Sequence, residues 1–150
     1  MSKVIIYTDS DGNLVELWPA PGLDPVVVAN KDVPTGISYF IDDDSNLPGD
    51  DNFRSAWKEN SGSVVVDMDL AKEIHKDNIR TVRKPLLEGK DADYMKALES
   101  ADTTAQTSIA AEKQSLRDAT EDPDIAAATT PEELRNSWKT DLLGDSPYTT

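Results

Sequence analysis

His75 is the only histidine in the chain, so a histidine-based metal site or a His-paired nucleophile would have to be built around that one imidazole. It falls in the apolar stripe of an amphipathic segment, where a packed, hydrogen-bonded or interfacial ring is expected rather than a catalytic one. Serines and threonines are plentiful, yet none sits in the Gly-flanked elbow that presents a nucleophile. Asp9-Ser10-Asp11-Gly12-Asn13 has the alternating oxygens of a calcium-loop opening. Its glycine comes two positions early, no flanking helix is evident, and a hairpin turn wants the same residues, so a turn is predicted. Asp42, Asp43 and Asp44 with Asp50 and Asp51 offer carboxylates, but side chains of adjacent acids diverge and a solvated loop is expected. No glycine loop that would cradle phosphate is present. In so acidic a chain the mere number of carboxylates does not point to acid-base chemistry. The expectation is a non-enzymatic protein with no catalytic residue, no metal and no cofactor.

Composition narrows the partners. The formal charge of -14, from 29 acidic against 15 basic residues, opposes binding to a phosphate backbone or to an anionic membrane surface, both of which need a basic footprint. Cysteine is absent, which removes disulfides and thiolate chemistry and suits a reducing compartment. The apolar run in VIIYTDSDG is too short for the centre of a signal peptide, and no window approaches a membrane span. A soluble chain made in the cytoplasm, or held in something assembled there, is expected.

The elements that must position these residues fall into two halves and predict an α+β fold: a β-rich module over residues 1–66, a helical module over 67–142, and a flexible tail over 143–150. KVIIYT and LVELW flank the Asp9–Asn13 turn as a hairpin, with Val15 and Leu17 toward the core and Trp18 partly exposed. Pro19-Ala20-Pro21-Gly22 ends the second strand. PVVVA reads as a short apolar run within the β-module, and ISYFI as the next strand. Phe53 and Trp57, four apart, predict one helical turn that packs both rings onto the sheet; Val64 to Val66 closes the module. From Asp67 or Asp69 onward, Met68, Ala71, His75, Ile79, Val82 and Leu86 form one helical stripe. Pro85 is expected to kink or end that helix near Lys84 before Gly89 stops it. Asp91 would then open a second helix carrying Tyr94, Ala97 and Leu98, and Thr103 or Thr104 a third carrying Ile109 and Leu116, ended by Asp122-Pro123. Thr130-Pro131-Glu132-Glu133 is a capping box with Pro at the first helical position; it opens a last helix that runs toward Lys139 and carries Leu134 and Trp138.

An interaction role is the reading this pattern favours. The candidate partner-binding residues are Trp18, Trp57, His75, Ile79, Tyr94 and Trp138, with Trp138, beside the loose tail, the ring most expected to stand exposed. The stripe from Met68 to Leu86 could close on later helices of its own chain or pair between copies, so a homo-oligomer is a possible state.

The stretches VIIYTDSDGNLVELWPAPG, DVPTGISYFIDDDSNLP with NFRSAW, DLAKEIHKDNIRTVRKPLLEGKDADYMKALE and KQSLRDATEDPDIAAATTPEELRNSW resemble the small tail or tail-fibre assembly, or virion-associated, proteins of tailed bacteriophages. The resemblance covers nearly the whole chain. It implies a β-rich N-terminal part, a helical C-terminal part, no catalytic residues, and a tail, fibre or baseplate protein as partner. It also implies a place in the host cytoplasm during assembly and then in the virion tail, as a structural adaptor or, alternatively, as a transient assembly chaperone absent from the mature particle.

Overall fold

A computed structural model describes residues 2–149; Met1 and Thr150, the outermost residues of the β-module and of the tail, lie outside the described residues. The chain is an α+β protein whose residues divide into two units, 1–67 and 68–150. In the first, strand β1 (Lys3–Thr8) carries four consecutive buried residues, Val4 to Tyr7. Alternation of side chains along a strand requires both faces of such a run to be covered. β1 is the centre of an antiparallel sheet of order β2-β1-β3, where β2 is Leu14–Leu17 and β3 is Tyr39–Asp43. The register places Ile6 opposite Glu16 and Phe40, and Ile5 opposite Leu17 and Ile41. Asp9 makes the hairpin turn: its Oδ1 accepts from the amides of Asp11 and Asn13, each at 2.9 Å, while Gly12 takes φ 85°.

One face of the sheet is covered by a second hairpin, β4 (Trp57–Asn60) with β5 (Ser63–Val66). Ser61 and Gly62, at φ 52° and 81°, form its two-residue turn, the geometry that matches strand twist. Val4, Ile6, Trp57 and Val64 make a buried cluster against which Leu14, Phe40, Leu47 and Val66 pack. Leu14 is therefore as much a core residue as Val15 and Leu17, because β2 is half-buried on both faces. Phe53 is fully buried in a 3-10 turn over Asp51–Ala56, and Trp57 follows it as the first residue of β4 rather than as its helical neighbour.

PVVVA corrects a second expectation: it is helical. Helix α1 (Pro25–Asp32) starts because Asp24 accepts from the Val26 amide at 2.9 Å and Pro25 occupies the first turn. These start signals outweigh the β preference of three valines. α1 packs on β1 and β3 and buries Ala29 against them.

The second unit is built on helix α2 (Met68–Glu99), which continues without a break through Pro85 and Gly89. The expected helix end near Lys84 and second helix start at Asp91 are absent, and tertiary contacts hold both flanks of the weak region. Arg83 Nη1 donates to the carbonyls of Leu116 (3.3 Å) and Arg117 (2.8 Å), Asp91 pairs with Lys113 at 2.5 Å, and Lys90 pairs with Glu112. These partners lie on helix α3 (Thr103–Asp118), which returns along α2 after a turn at Ala101, φ 55°, and is capped by Asp102. Asp122 then ends a 3-10 turn and caps α4 (Pro123–Ala127), so Asp122-Pro123 is a stop and a start together.

Thr130 caps α5 (Pro131–Asn136): its hydroxyl accepts from the Glu133 amide at 3.2 Å, as in a capping box, while the Glu133 carboxylate reaches back one residue further than the box requires and accepts from the amide and hydroxyl of Thr129 at 2.7 and 3.1 Å. Those bonds from Thr129 hold the Glu133 carboxyl below its ordinary pKa. α5 is shorter than expected. It stops before Ser137, whose amide closes the last turn, and α6 (Thr140–Leu143) follows. Among the described residues no helix is long and apolar enough to cross a membrane.

Pro85 has no amide proton for the Thr81 carbonyl, yet it is exposed on a continuous helix. Pro85→Ala is therefore expected to stabilise the protein by about 1–3 kcal/mol in chemical denaturation. A variant no more stable than the parent would show that the proline is accommodated without cost.

Candidate functional site

The polar group with most chemical potential is the one α2 carries inward. Ala71, His75 and Ile79, four apart, lie 0–2% exposed on the buried stripe of that helix, as the i, i+4 spacing dictates. Around the imidazole, three other pieces of chain converge. Ser137 Oγ, at the C-terminal end of α5, lies 3.1 Å from His75 Nε2; Tyr148 Oη lies 2.5 Å from Nδ1; and Asn78 Nδ2, one turn on from His75, donates to Tyr148 Oη at 3.2 Å. The Tyr148 ring stacks on the imidazole with centroids 5.5 Å apart and planes 12° apart. Trp138 closes the cage edge-on to both rings, at 5.9 and 6.0 Å.

Proton accounting fixes the direction of this network. Ser137 has one hydroxyl proton, and it goes to the Leu134 carbonyl at 2.6 Å. The Ser137 oxygen must then accept from His75 Nε2–H, which leaves Nδ1 as the acceptor of the Tyr148 hydroxyl, whose oxygen accepts from Asn78. With the imidazole neutral, each of these groups has a partner. Burial penalises the charged ring and pushes the His75 pKa down to about 4, against a smaller opposing pull from the Asp122 carboxylate.

A serine 3.1 Å from an imidazole nitrogen has the spacing of a nucleophile and its base. Here the proton points the wrong way, since the nitrogen facing Ser137 carries a hydrogen and cannot take another. Ser137 and His75 are 6% and 0% exposed, which closes them to a substrate. The arrangement is a buried polar knot that fastens the chain's last residues to α2.

The expected partner-binding residues are thus placed very differently. Trp138 is buried at 6%, its Nε1 donating to the Gly144 carbonyl at 3.0 Å, so the ring expected to stand free is a core residue. His75 and Ile79 are buried with it, and Trp57 is 6% exposed in the first unit beneath Arg54, whose guanidinium lies 5.1 Å from its ring. Tyr94 is half-buried with Lys113 Nζ 5.6 Å above it. The tail expected to be loose is held through Tyr148. Sequence reasoning missed Ser137, Asn78 and Tyr148. A lone aromatic in a tail of Gly, Pro, Ser and Thr, and an Asn three residues after the only histidine, were the available signals.

Trp18 alone keeps the expected exposure, at 49%. It borders a groove of about 420 Å³ in the first unit, lined by Trp18, Pro19, Leu23, Val27, Val28 and Lys31 among others. No group of three or more acidic, histidine or cysteine side chains among the described residues is placed to hold a metal ion. The predicted acidic loop is instead bound up locally: Asp42 accepts from Asn46 Nδ2 and from the Asp43 amide, which lowers its pKa, and Asp43 pairs with Lys3 at 2.8 Å.

Two outcomes test the knot. As the sole histidine, His75 gives one resolvable imidazole resonance, expected to titrate near pH 4 and to move toward 6.5 in Tyr148→Ala. Because the folded pKa lies below the unfolded one, the neutral ring contributes stability that is complete above pH 6.5. About 3 kcal/mol is lost as pH falls from there through about 4. Tyr148→Phe, which orphans Nδ1, is expected to cost about 1–2 kcal/mol in denaturation at pH 7; an unchanged midpoint would show that the hydroxyl contributes nothing.

No protein-family model, no curated protein and no solved structure matches this chain.

Proposed function

We propose that the chain is a non-enzymatic accessory protein of a bacteriophage tail, a structural adaptor that docks on a tail, fibre or baseplate protein through protein-protein contacts. The observation that carries the docking part is the concentration of exposed apolar surface. Of the eight large apolar side chains standing well exposed among the described residues, four lie between Trp18 and Val27: Trp18 at 49%, Leu23 at 57%, Val26 at 49% and Val27 at 64%. Single exposed apolar residues are ordinary, but a contiguous set rimmed by polar groups marks an interaction surface. Three adjacent valines in a short helix are also a poor choice for a face meant for water, since they neither favour the helix nor solvate well. The non-enzymatic part is supported by the buried Ser137–His75 pair, whose hydrogen-bond direction suits structure rather than nucleophilic attack. The tail setting is supported by the resemblance that VIIYTDSDGNLVELWPAPG and LRDATEDPDIAAATTPEELRNSW carry.

Mass spectrometry of purified virions is expected to find the chain in the particle. Val27→Asp, at an exposed position, is expected to leave a folded protein that is missing from the particle. Absence of the parent chain from virions, with fibre yield dependent on its co-expression, would replace the adaptor by a transient chaperone.

A further inference from the structure

We infer that the groove beside Trp18 takes an apolar side chain from a basic segment of its protein partner; this rests on the docking reading above and names the chemistry of what docks. The groove's apolar part is formed where the chain leaves β2 through Pro19 and Ala20 and enters α1, so Trp18 and Leu23 line it together with Val27 and Val28. At about 420 Å³ it has room for one large side chain and the backbone that carries it. Its polar rim is Asp24, Lys31 and Asp32. Asp24 is already engaged by the Val26 amide at 2.9 Å.

Charge chooses the occupant. Residues 1–67 hold 12 acidic against 4 basic side chains. Three of those four cations are already paired inside the unit: Lys3 with Asp43, Arg54 with Glu16, and Lys58 with Asp67 at 3.3 Å. Only Lys31, on the groove rim, is left without an ion pair among the described residues of the unit. A second copy would bring a charge of -14 against -14, and an acidic partner would be repelled in the same way. Lysines or arginines flanking the anchor are attracted instead, within the roughly 8 Å over which charges act at physiological salt.

Three labelled six-residue peptides with a Trp-Leu centre, flanked on each side by two lysines, two serines or two glutamates, test this by fluorescence anisotropy at 0.15 M salt. The lysine peptide is expected to bind at least tenfold tighter than the serine peptide, and Val27→Asp and Leu23→Ser to weaken it at least tenfold each. Both positions are exposed, and retention of the parent's far-ultraviolet dichroism and unfolding midpoint confirms that each variant folds. Val27→Asp makes the protein more acidic, so attraction by charge alone would hold or strengthen under it; that result overturns the inference and the docking reading together. Equal affinity for all three peptides, lost in both variants, overturns the basic segment and leaves the docking reading standing. A dimer in sedimentation that Val27→Asp dissolves would seat a second copy in the groove and overturn the inference.

Discussion

A fully buried imidazole has to find a partner for each ring nitrogen, and in the helical unit that requirement ties remote pieces of chain to α2. His75 has 0% exposure and sits between Ala71 and Ile79 on the inward stripe. An apolar residue there would ask only for contact, whereas the imidazole also asks for one donor and one acceptor in fixed directions. Ser137 supplies one from the end of α5 and Tyr148 the other from the tail, 62 and 73 residues away in sequence. Unsatisfied, a buried polar group of this kind costs about 1–3 kcal/mol. The short elements α4, α5 and α6, each six residues or fewer, are too brief to hold themselves as helices. They are fixed by what they bury, namely Ile125, Leu134 and Leu143, by Trp138 in the link between α5 and α6, and by the bonds that fix the direction of approach to His75.

The β unit obeys a different constraint. β1 is buried on both faces, so it needs two covers, and the chain supplies them by different means. The β4–β5 hairpin brings Trp57 and Val64 to the Val4 and Ile6 face, and α1 packs on the sheet with Ala29. Each cover leaves something unsatisfied. Trp57 Nε1 is buried with no hydrogen-bond partner among the described residues, a polar cost offset by the ring's burial and by Arg54, which lies over it and also pairs with the largely buried Glu16. α1 turns Ala29 inward, and its valines at 26 and 27 are left outside.

Where structure is decided locally, the sequence was legible. Asp9 to Asn13 as a turn and Thr130 to Glu133 as a cap were readable because neighbouring side chains and amides settle them, as was the order of a β half before a helical half. PVVVA was misread because three β-branched residues outvoted the Asp-Pro start signal. The helix does not end at Pro85, because a helix breaker acts on an isolated helix while this one has Arg83, Lys90 and Asp91 bound to α3 on both sides of it. The candidate site was less legible still. That His75 would pack or hydrogen-bond followed from its place on the stripe, but its partners come from distant segments that local pattern cannot reach. Trp138 shows the limit plainly: proximity to a polar tail suggested exposure, and the same tail, anchored by Tyr148, is what helps bury it.

The three tryptophans separate the two uses to which a small acidic chain can put an aromatic ring. Trp57 and Trp138 lie 6% exposed within their units, Trp57 beneath the Arg54 guanidinium and Trp138 edge-on to the hydrogen-bonded His75 ring. Replacing either would open a core, so neither is free to meet a partner without local unfolding. Trp18 follows the last residue of β2 and precedes Pro19, where the ladder ends and no further strand can cover it. Its neighbours on the far side of the loop are Leu23 and the outward valines of α1, and no element of its own unit is left to bury them. An apolar surface produced by the way the sheet is closed, in a unit whose cations are nearly all paired already, is the physical basis of the proposed preference: charge would disfavour an acidic surface there and desolvation a polar one.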